Sequence, residues 1–520
     1  LRLGIDFGTT RTVVACADRG NYPVLAFVDD AGDSHDWMPS VVAEDEGRLR
    51  FGFDALAAGE RACVVRSFKR LLARADATPG REVQIGSVTI TLGDLLTRFF
   101  AYVRDAVLVR STLSEELRAG PIESVVAVPA NASGAQRLLT LDAFRRAELS
   151  PLAMLNEPSA AGFEYTHRHR STLTSKRDHV VVYDLGGGTF DASLVRMHGV
   201  RHEVLTTCGV NELGGDDFDE VIVDLVLAKA KLDKESLDPA ALSRLRDQCR
   251  DAKERLNPSS KKATVDLEAA LGEAAPVAEM SLPVAEIYEA CEPLVERSIE
   301  AMFPVMARLA GVEGKEPVTA GADTMRDDIA GIYVVGGGSE LPIVGRTLRQ
   351  RFGRRVHRSP YASGAIAIGL AIACDEAAGF ELVDRYSRTF GVFREAHAGS
   401  EITFDPIFTP DTLLPSSGAG PVARRRRYRA AHNVGHFRFL ECSGMSDDGK
   451  PRGHMVFSGD VLFPFDRRLA GGALDGVRVE RFDREGPRIE EEYFLDEHGI
   501  VAVTIRNLDE GFERVFRLGA

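Results

Sequence analysis

Apolar and polar positions follow three textures along the chain. Near its start LGIDFGTTRTVVA, Leu3 to Ala15, runs apolar strand, Asp6, a Gly/Thr turn and a second apolar strand. HVVVYDLGGGTFDASLV, His179 to Val195, repeats that plan with Asp184 ahead of three glycines. GIYVVGGGSELP, Gly331 to Pro342, is an apolar strand that breaks on glycines before a helix. Short continuous apolar runs bounded by turn residues predict strands covered on both faces. Two similar hairpins far apart predict a duplicated domain whose halves face each other.

The second texture is helical. Asp94 to Arg118, Gly134 to Leu149, Ala241 to Leu256 and Ala285 to Leu309 carry apolar residues at three-and-four spacing, and Asn257-Pro258 stops the third. Strands alternating with helices predict an α/β architecture. After Ala377 the third texture begins. Phe437 and Phe439, Val477 and Val479, then Val501, Val503 and Ile505 alternate with polar residues between turn signals such as Gly486-Pro487 and Asp496-Glu497-His498-Gly499. That pattern predicts a small antiparallel β-sandwich. The polar segments Gly311 to Asp328 and Ser416 to Pro421 read as surface loops.

Composition narrows the function classes. The 520 residues allow roughly three to four domains. A formal net charge of -14 argues against a nucleic-acid or anionic-membrane binder. The seven cysteines, at 16, 63, 208, 249, 291, 374 and 442, have no C-x-x-C spacing, so neither a zinc cage nor a disulfide framework is expected. The chain opens directly into a strand without a basic and apolar leader, and no run approaches the length of a membrane span. A cytoplasmic protein is the expectation.

A Gly- and Thr-rich turn leaves backbone N–H groups unshielded, so several can point at one anion, most often phosphate. A carboxylate in each turn, Asp6 and Asp184, would repel phosphate unless a divalent cation lay between them. Mg²⁺ with retained waters suits that arrangement. The two turns together therefore predict a Mg-nucleotide.

In order along the chain, LGIDFGTTRTVVA, VVAVPANASGAQR (Val125 to Arg137), LNEPSAAG (Leu155 to Gly162), VVYDLGGGTFD (Val181 to Asp191), NELGGDDFD (Asn211 to Asp219) and VVGGGSELP resemble the ATPase domain of DnaK-type chaperones, the heat-shock protein 70 family. The resemblance extends to about Gly379. It implies a two-lobed actin-like ATPase domain over 1–379, a linker over 380–388 and a β-sandwich over 389–520 that binds peptide or client. It implies ATP and Mg as ligands. Asp6, Gly8, Thr9, Thr10 and Arg11 match the first phosphate loop, and Gly186, Gly187, Gly188 and Thr189 the second. Gly214, Gly215, Lys253, Gly336, Gly337 and Gly338 match further nucleotide contacts. Lys69, in VVRSFKRLLA, falls where the family places the lysine beside the γ-phosphate. Glu157, Asp184 and Asp191 match the carboxylates that order metal and water, Asp6 and Asp184 being the metal candidates through water. Pro129 and Arg137 match residues that relay nucleotide state; a strand-ending Pro and an exposed helix Arg are the alternative reading.

Some positions depart from the family. Arg250 replaces the usual Glu of the adenosine helix RDAKERLN, and the two adenine-stacking arginines correspond to Glu254 and Glu340. PYASGAIAIG after Ser359 replaces an acidic PDEA pattern. Weaker ATP affinity or altered base selectivity is therefore expected, since each lost guanidinium removes about 1 kcal/mol or more of stacking. DRYSRTFGV (Asp384 to Val392) and FLDEHGIVAVTIRN resemble the family's peptide-gripping sandwich, which binds through main-chain hydrogen bonds and an apolar pocket. The linker Glu381-Leu382-Val383-Asp384 is shorter and less apolar than usual. No helical lid follows GFERVFRLGA, so fast peptide release is expected. The run Arg424 to Arg427 fits a charge-protected edge strand, or else an acidic partner.

The resulting expectation is a DnaK-like Mg-ATPase whose nucleotide state governs binding of unfolded or specific protein clients, with J-domain and exchange-factor co-chaperones implied. A small-molecule kinase and an actin-like scaffold of the same superfamily are the alternatives.

Overall fold

The computed structural model describes residues 1–58, 62–118, 120–210, 212–312, 328–416 and 418–519. The loop expected at Gly311 to Asp328 therefore lies, over 313–327, outside the described residues, as do Asn211 and Ser417. The chain packs as two compact units. One comprises Leu1–Leu3, Leu25–Leu155 and Glu381–Ala520; the other Gly4–Val24 and Asn156–Phe380.

In the second unit both glycine hairpins form. Arg2–Phe7 and Arg11–Cys16 are neighbouring strands of one sheet. His179–Leu185 and Phe190–His198 pair antiparallel, with Asp184 directly opposite Asp191. Arg201–Val210 extends that sheet on one side. On the other, Ile329–Val335 runs parallel to His179–Leu185 and Val356–Arg358 lies beyond it. Alternation along one strand explains the two covered faces. Val181, Tyr183 and Leu185 pack with Ile222, Leu245 and Ile299 from helices Gly215–Ala230, Pro239–Glu254 and Val284–Val312. Val180 and Val182 pack on the opposite face with Ala161, Tyr165 and Ala365, from helices Glu157–His169 and Ala365–Cys374. Burial on both faces is why the strand reads as an unbroken apolar run.

In the first unit, strands Glu123–Val128 and Pro151–Asn156 lie side by side, with helices Leu92–Val109 and Gly134–Arg146. The helix expected over Asp94 to Arg118 ends earlier, at Val109, and a separate turn covers Glu115–Arg118. Ser111 accounts for the break: its hydroxyl donates to the Val107 carbonyl at 2.5 Å and accepts from Leu113 N–H at 3.2 Å. Such local bonds compete with helix continuation.

The sandwich forms as two four-stranded antiparallel sheets. Glu401–Phe408, Thr389–Ala396, Val434–Met445 and Pro451–Pro464 make one; Val422–Arg429, Arg488–Leu495, Val501–Asn507 and Phe512–Arg517 make the other. Their inner faces meet on Phe390, Phe408, Phe439, Tyr493, Val503 and Ile505. Val477 and Val479 do not form the expected strand. Val479 is exposed, and two alternating residues between the turns at Asp475-Gly476 and Gly486-Pro487 are too few to bury a face. Strand Val422–Arg429 is a sheet edge. Arg425 and Arg427 pair there with Glu492 and Glu490 of the neighbouring strand at 2.6 Å, so the arginine run is the charged edge that the sequence suggested. Among the described residues, no helix is long and apolar enough to cross a membrane.

Candidate functional site

The second unit gathers nearly all the residues singled out in the sequence. Asp6 is the penultimate residue of the first strand of the opening hairpin, and Gly8, Thr9 and Thr10 make its turn, half-buried. Asp184 and Asp191 flank the second turn, which is closed by Gly186 N–H donating to the Thr189 carbonyl at 2.9 Å. The two turns touch: a Cβ added to Gly187 would fall 2.5 Å from Thr10 Oγ1.

A third glycine pair locks onto the second turn. Gly215 N–H donates to the Gly186 carbonyl at 2.9 Å and Asp216 N–H to the Gly187 carbonyl at 2.7 Å, fixing the start of helix Gly215–Ala230. A Cβ at Gly214 would lie 2.6 Å from Gly188 N and 2.7 Å from Gly187 C, a spacing only glycine allows. The fourth segment, Gly336–Gly338, follows strand Ile329–Val335. Gly336 has φ +85°, and a Cβ there would strike Asp184 Oδ1; one at Gly338 would fall 2.5 Å from the Gly186 carbonyl oxygen. Three backbone segments thus approach one another too closely for side chains, the first turn reaching the second through the Thr10 side chain, around buried carboxylates.

Asp6, Asp184 and Asp191 are each 8% exposed and Glu157 7%. Glu157 opens helix Glu157–His169, with Pro158 in its first turn, where proline lacks no needed donor. Buried carboxylates are retained where cations or donors meet them. Among the described residues no group of three His, Cys, Asp or Glu side chains is placed to ligate a metal directly. Two carboxylates beside a glycine cradle fit Mg²⁺ instead, which binds proteins through one or two carboxylates and keeps its waters for phosphate.

Lys253 lies against this cradle. Its ammonium donates to the Gly215 carbonyl at 2.7 Å and pairs with Asp219 at 2.6 Å. Arg250 pairs with the same Asp219 at 3.1 Å and with Asp216 at 3.2 Å. Burial pushes the Asp219 carboxyl up, against the pull of Lys253 and Arg250. The sequence reading missed Asp219, although NELGGDDFD contains it; the signal was an acidic helix face opposite the basic face of RDAKERLN. Glu254 pairs with Arg11 at 2.5 Å, whereas Glu340 is exposed at the end of the turn Gly337–Glu340. Lys69 belongs to the first unit, buried in the 3-10 turn Phe68–Ala73.

Comparison with known proteins decides the family. The Hsp70 protein family profile matches residues 2–387. The chain belongs to the Hsp70 family. It is similar to the protein named chaperone protein HscA homolog of Burkholderia multivorans, 34% identical over 541 aligned residues that take in 99% of this chain and 77% of the relative. The HscA homologs of Burkholderia pseudomallei and Burkholderia mallei are 33% identical with the same coverage. Hsp70 proteins are chaperone ATPases that bind ATP and Mg, and the chain is one of this class.

The first unit holds a second cluster. The Glu441 carboxylate, 2% exposed, accepts from Gly134 N–H with both oxygens, at 3.2 and 3.1 Å, at the N-terminus of helix Gly134–Arg146. Ser458 Oγ donates to it at 3.2 Å. Arg388 donates to the Asn131 carbonyl at 3.3 Å and the His454 carbonyl at 2.8 Å, and Arg137 donates to the His498 carbonyl at 3.2 Å. Arg137, 3% exposed, is therefore not the exposed helix Arg of the alternative reading. Burial pushes the Glu441 carboxyl up, opposed by Arg388 and by the Gly134 N–H.

Proposed function

We propose that this Hsp70-family ATPase hydrolyses Mg-ATP in the glycine cradle and couples nucleotide state to the binding of unfolded or specific protein clients by its sandwich. The division into an ATPase domain over 1–379, a linker over 380–388 and a client-binding sandwich over 389–520 is part of this reading. In it, the turns at Gly8–Arg11 and Gly186–Thr189, with Gly214, Gly215, Lys253 and Gly336–Gly338, bind the nucleotide. Asp6 and Asp184 hold Mg²⁺ through water. Bound Mg²⁺ would neutralise charge on the transferring phosphoryl group. Glu157, Asp191 and Thr189 orient the attacking water, and Lys69 stabilises charge developing on the γ-phosphate. The protein works in the cytoplasm with J-domain and exchange-factor partners.

The observation that carries the coupling is Glu441. A sandwich carboxylate caps the ATPase-domain helix that follows Pro129, and Arg388 and Arg137 tie the same segment to sandwich carbonyls. A carboxylate on unpaired N–H groups at a helix start is favoured by their partial positive charge. Movement of the Pro129 to Arg137 segment would break that cap, giving the sandwich two states of different client affinity.

The test is ATP turnover by the full chain with and without a permanently unfolded polypeptide. The account expects stimulation in the wild type and its loss, with basal turnover retained, in Glu441→Gln. Turnover indifferent to polypeptide in the wild type would contradict the coupling.

A further inference from the structure

Arg11 is the first residue after the Gly8-Thr9-Thr10 turn, and its guanidinium Nη2 lies 2.5 Å from Glu254 Oε2. Glu254 is the last residue of helix Pro239–Glu254. The residue before it, Lys253, is held on the Gly215 carbonyl, and Thr10 abuts Gly187. The ion pair therefore joins two sides of the cradle, each partner one residue away from a cradle contact. It is open to solvent: the side chains are 22% and 39% exposed.

A guanidinium at the edge of a phosphate-binding turn is suited to a bidentate contact with phosphate oxygens. Here a carboxylate of the same charge sign already occupies it. Polyphosphate and Glu254 would compete for one cation, and any phosphate that recruits Arg11 must first displace the carboxylate and then remain beside it. On the same helix Arg250 is held by Asp219 and Asp216, and Lys253 pairs with Asp219 as well.

We propose that Glu254 is a built-in competitor for the phosphate-loop guanidinium of Arg11, lowering nucleotide affinity and speeding nucleotide release. This rests on the reading of the cradle as a nucleotide site. It explains a carboxylate at a position where charge alone would exclude one: the chain gains fast release at the expense of tight binding. The effect is on the phosphates, so it acts alike on adenine and guanine nucleotides of equal phosphate number.

The experiment is a double-mutant cycle on the full chain, with Mg-ADP and Mg-ATP affinity measured by calorimetry and release by stopped-flow. Glu254→Gln, which keeps shape and removes charge, should tighten binding about tenfold, chiefly through slower release. Arg11→Gln should weaken it, and in that background Glu254→Gln should change affinity less than twofold. A tightening of equal size in both backgrounds would overturn the proposal, because Glu254 would then act by plain repulsion. So would unchanged or weaker binding by Glu254→Gln. If the wild type binds no Mg-nucleotide at millimolar concentration, the nucleotide reading itself falls, and the proposal with it; binding with no coupling between the two residues removes the proposal alone. Unchanged thermal midpoints in the variants, both partners being solvent-accessible, establish that the fold is retained.

Discussion

In the sandwich, Arg394 stands between Asp405 at 2.7 Å and the fully buried Glu491 at 2.8 and 3.0 Å, while Arg426 takes up the other oxygen of Asp405 at 2.9 Å. Tyr493 donates to Glu491, and the Arg394 guanidinium lies over the Tyr428 ring. Every charge there is matched by a side chain of the sandwich itself. In the cradle, the carboxylates Asp6, Asp184 and Asp191 are each 8% exposed, and Asp184 and Asp191 lie beside glycines where a Cβ would strike their carboxylate oxygens. The difference separates two uses of buried charge. Pairing between side chains fixes a fold, whereas carboxylates beside close-packed glycine turns suit a metal-bound anion supplied from outside.

Substitutions can break this contrast from either side. The largest effect belongs to the sandwich: Arg394→Ala leaves Glu491 buried beside Asp405 without its bidentate cation. It should destabilise that unit by about 3–5 kcal/mol, read from urea unfolding; a loss below about 1 kcal/mol would show that the network is ornamental. Lys69→Ala should leave Mg-ATP binding intact and slow single-turnover hydrolysis about a hundredfold or more, near 3 kcal/mol of barrier. Unchanged turnover would remove Lys69 from the chemistry. The smallest effect is one of pH. Glu164 is fully buried, accepts from the Tyr333 hydroxyl, and is pushed up by burial to about 7, against the pull of Arg168. The folded state then holds a proton that the unfolded chain releases above about 4.5, so stability falls as pH rises from 4.5 to 7 and levels off beyond. Stability should fall across that window, and thermal midpoints of Glu164→Gln should lack the fall. Parallel pH profiles for the two proteins would count against the assignment.

The cradle was legible in the sequence because its physics is local: Asp6 and Asp184 sit in apolar runs that break on glycine, and the turn itself carries the chemistry. The sandwich strands were legible where alternation ran long enough, as at Val501, Val503 and Ile505, and misread at Val477 and Val479, where two residues mimic a strand. The helix break at Ser111 depends on a hydroxyl choosing backbone partners, which periodicity does not register. The pairs Arg11–Glu254 and Lys253–Asp219 join residues far apart in the chain, and charge alone does not name the partner. Glu441 reads in isolation as a polar residue out of place in a strand; only its contact with Gly134 explains it.

The central claim is that the glycine cradle of the second unit binds a Mg-nucleotide, and calorimetric titration of the full chain with Mg-ATP tests it most directly, comparing the wild type with Gly214→Ala. The added methyl would meet the Gly187–Gly188 backbone, so one site per chain in the wild type and at least tenfold weaker binding in the variant are the predicted results. Equal affinity in both proteins, or no binding by the wild type, would contradict the account.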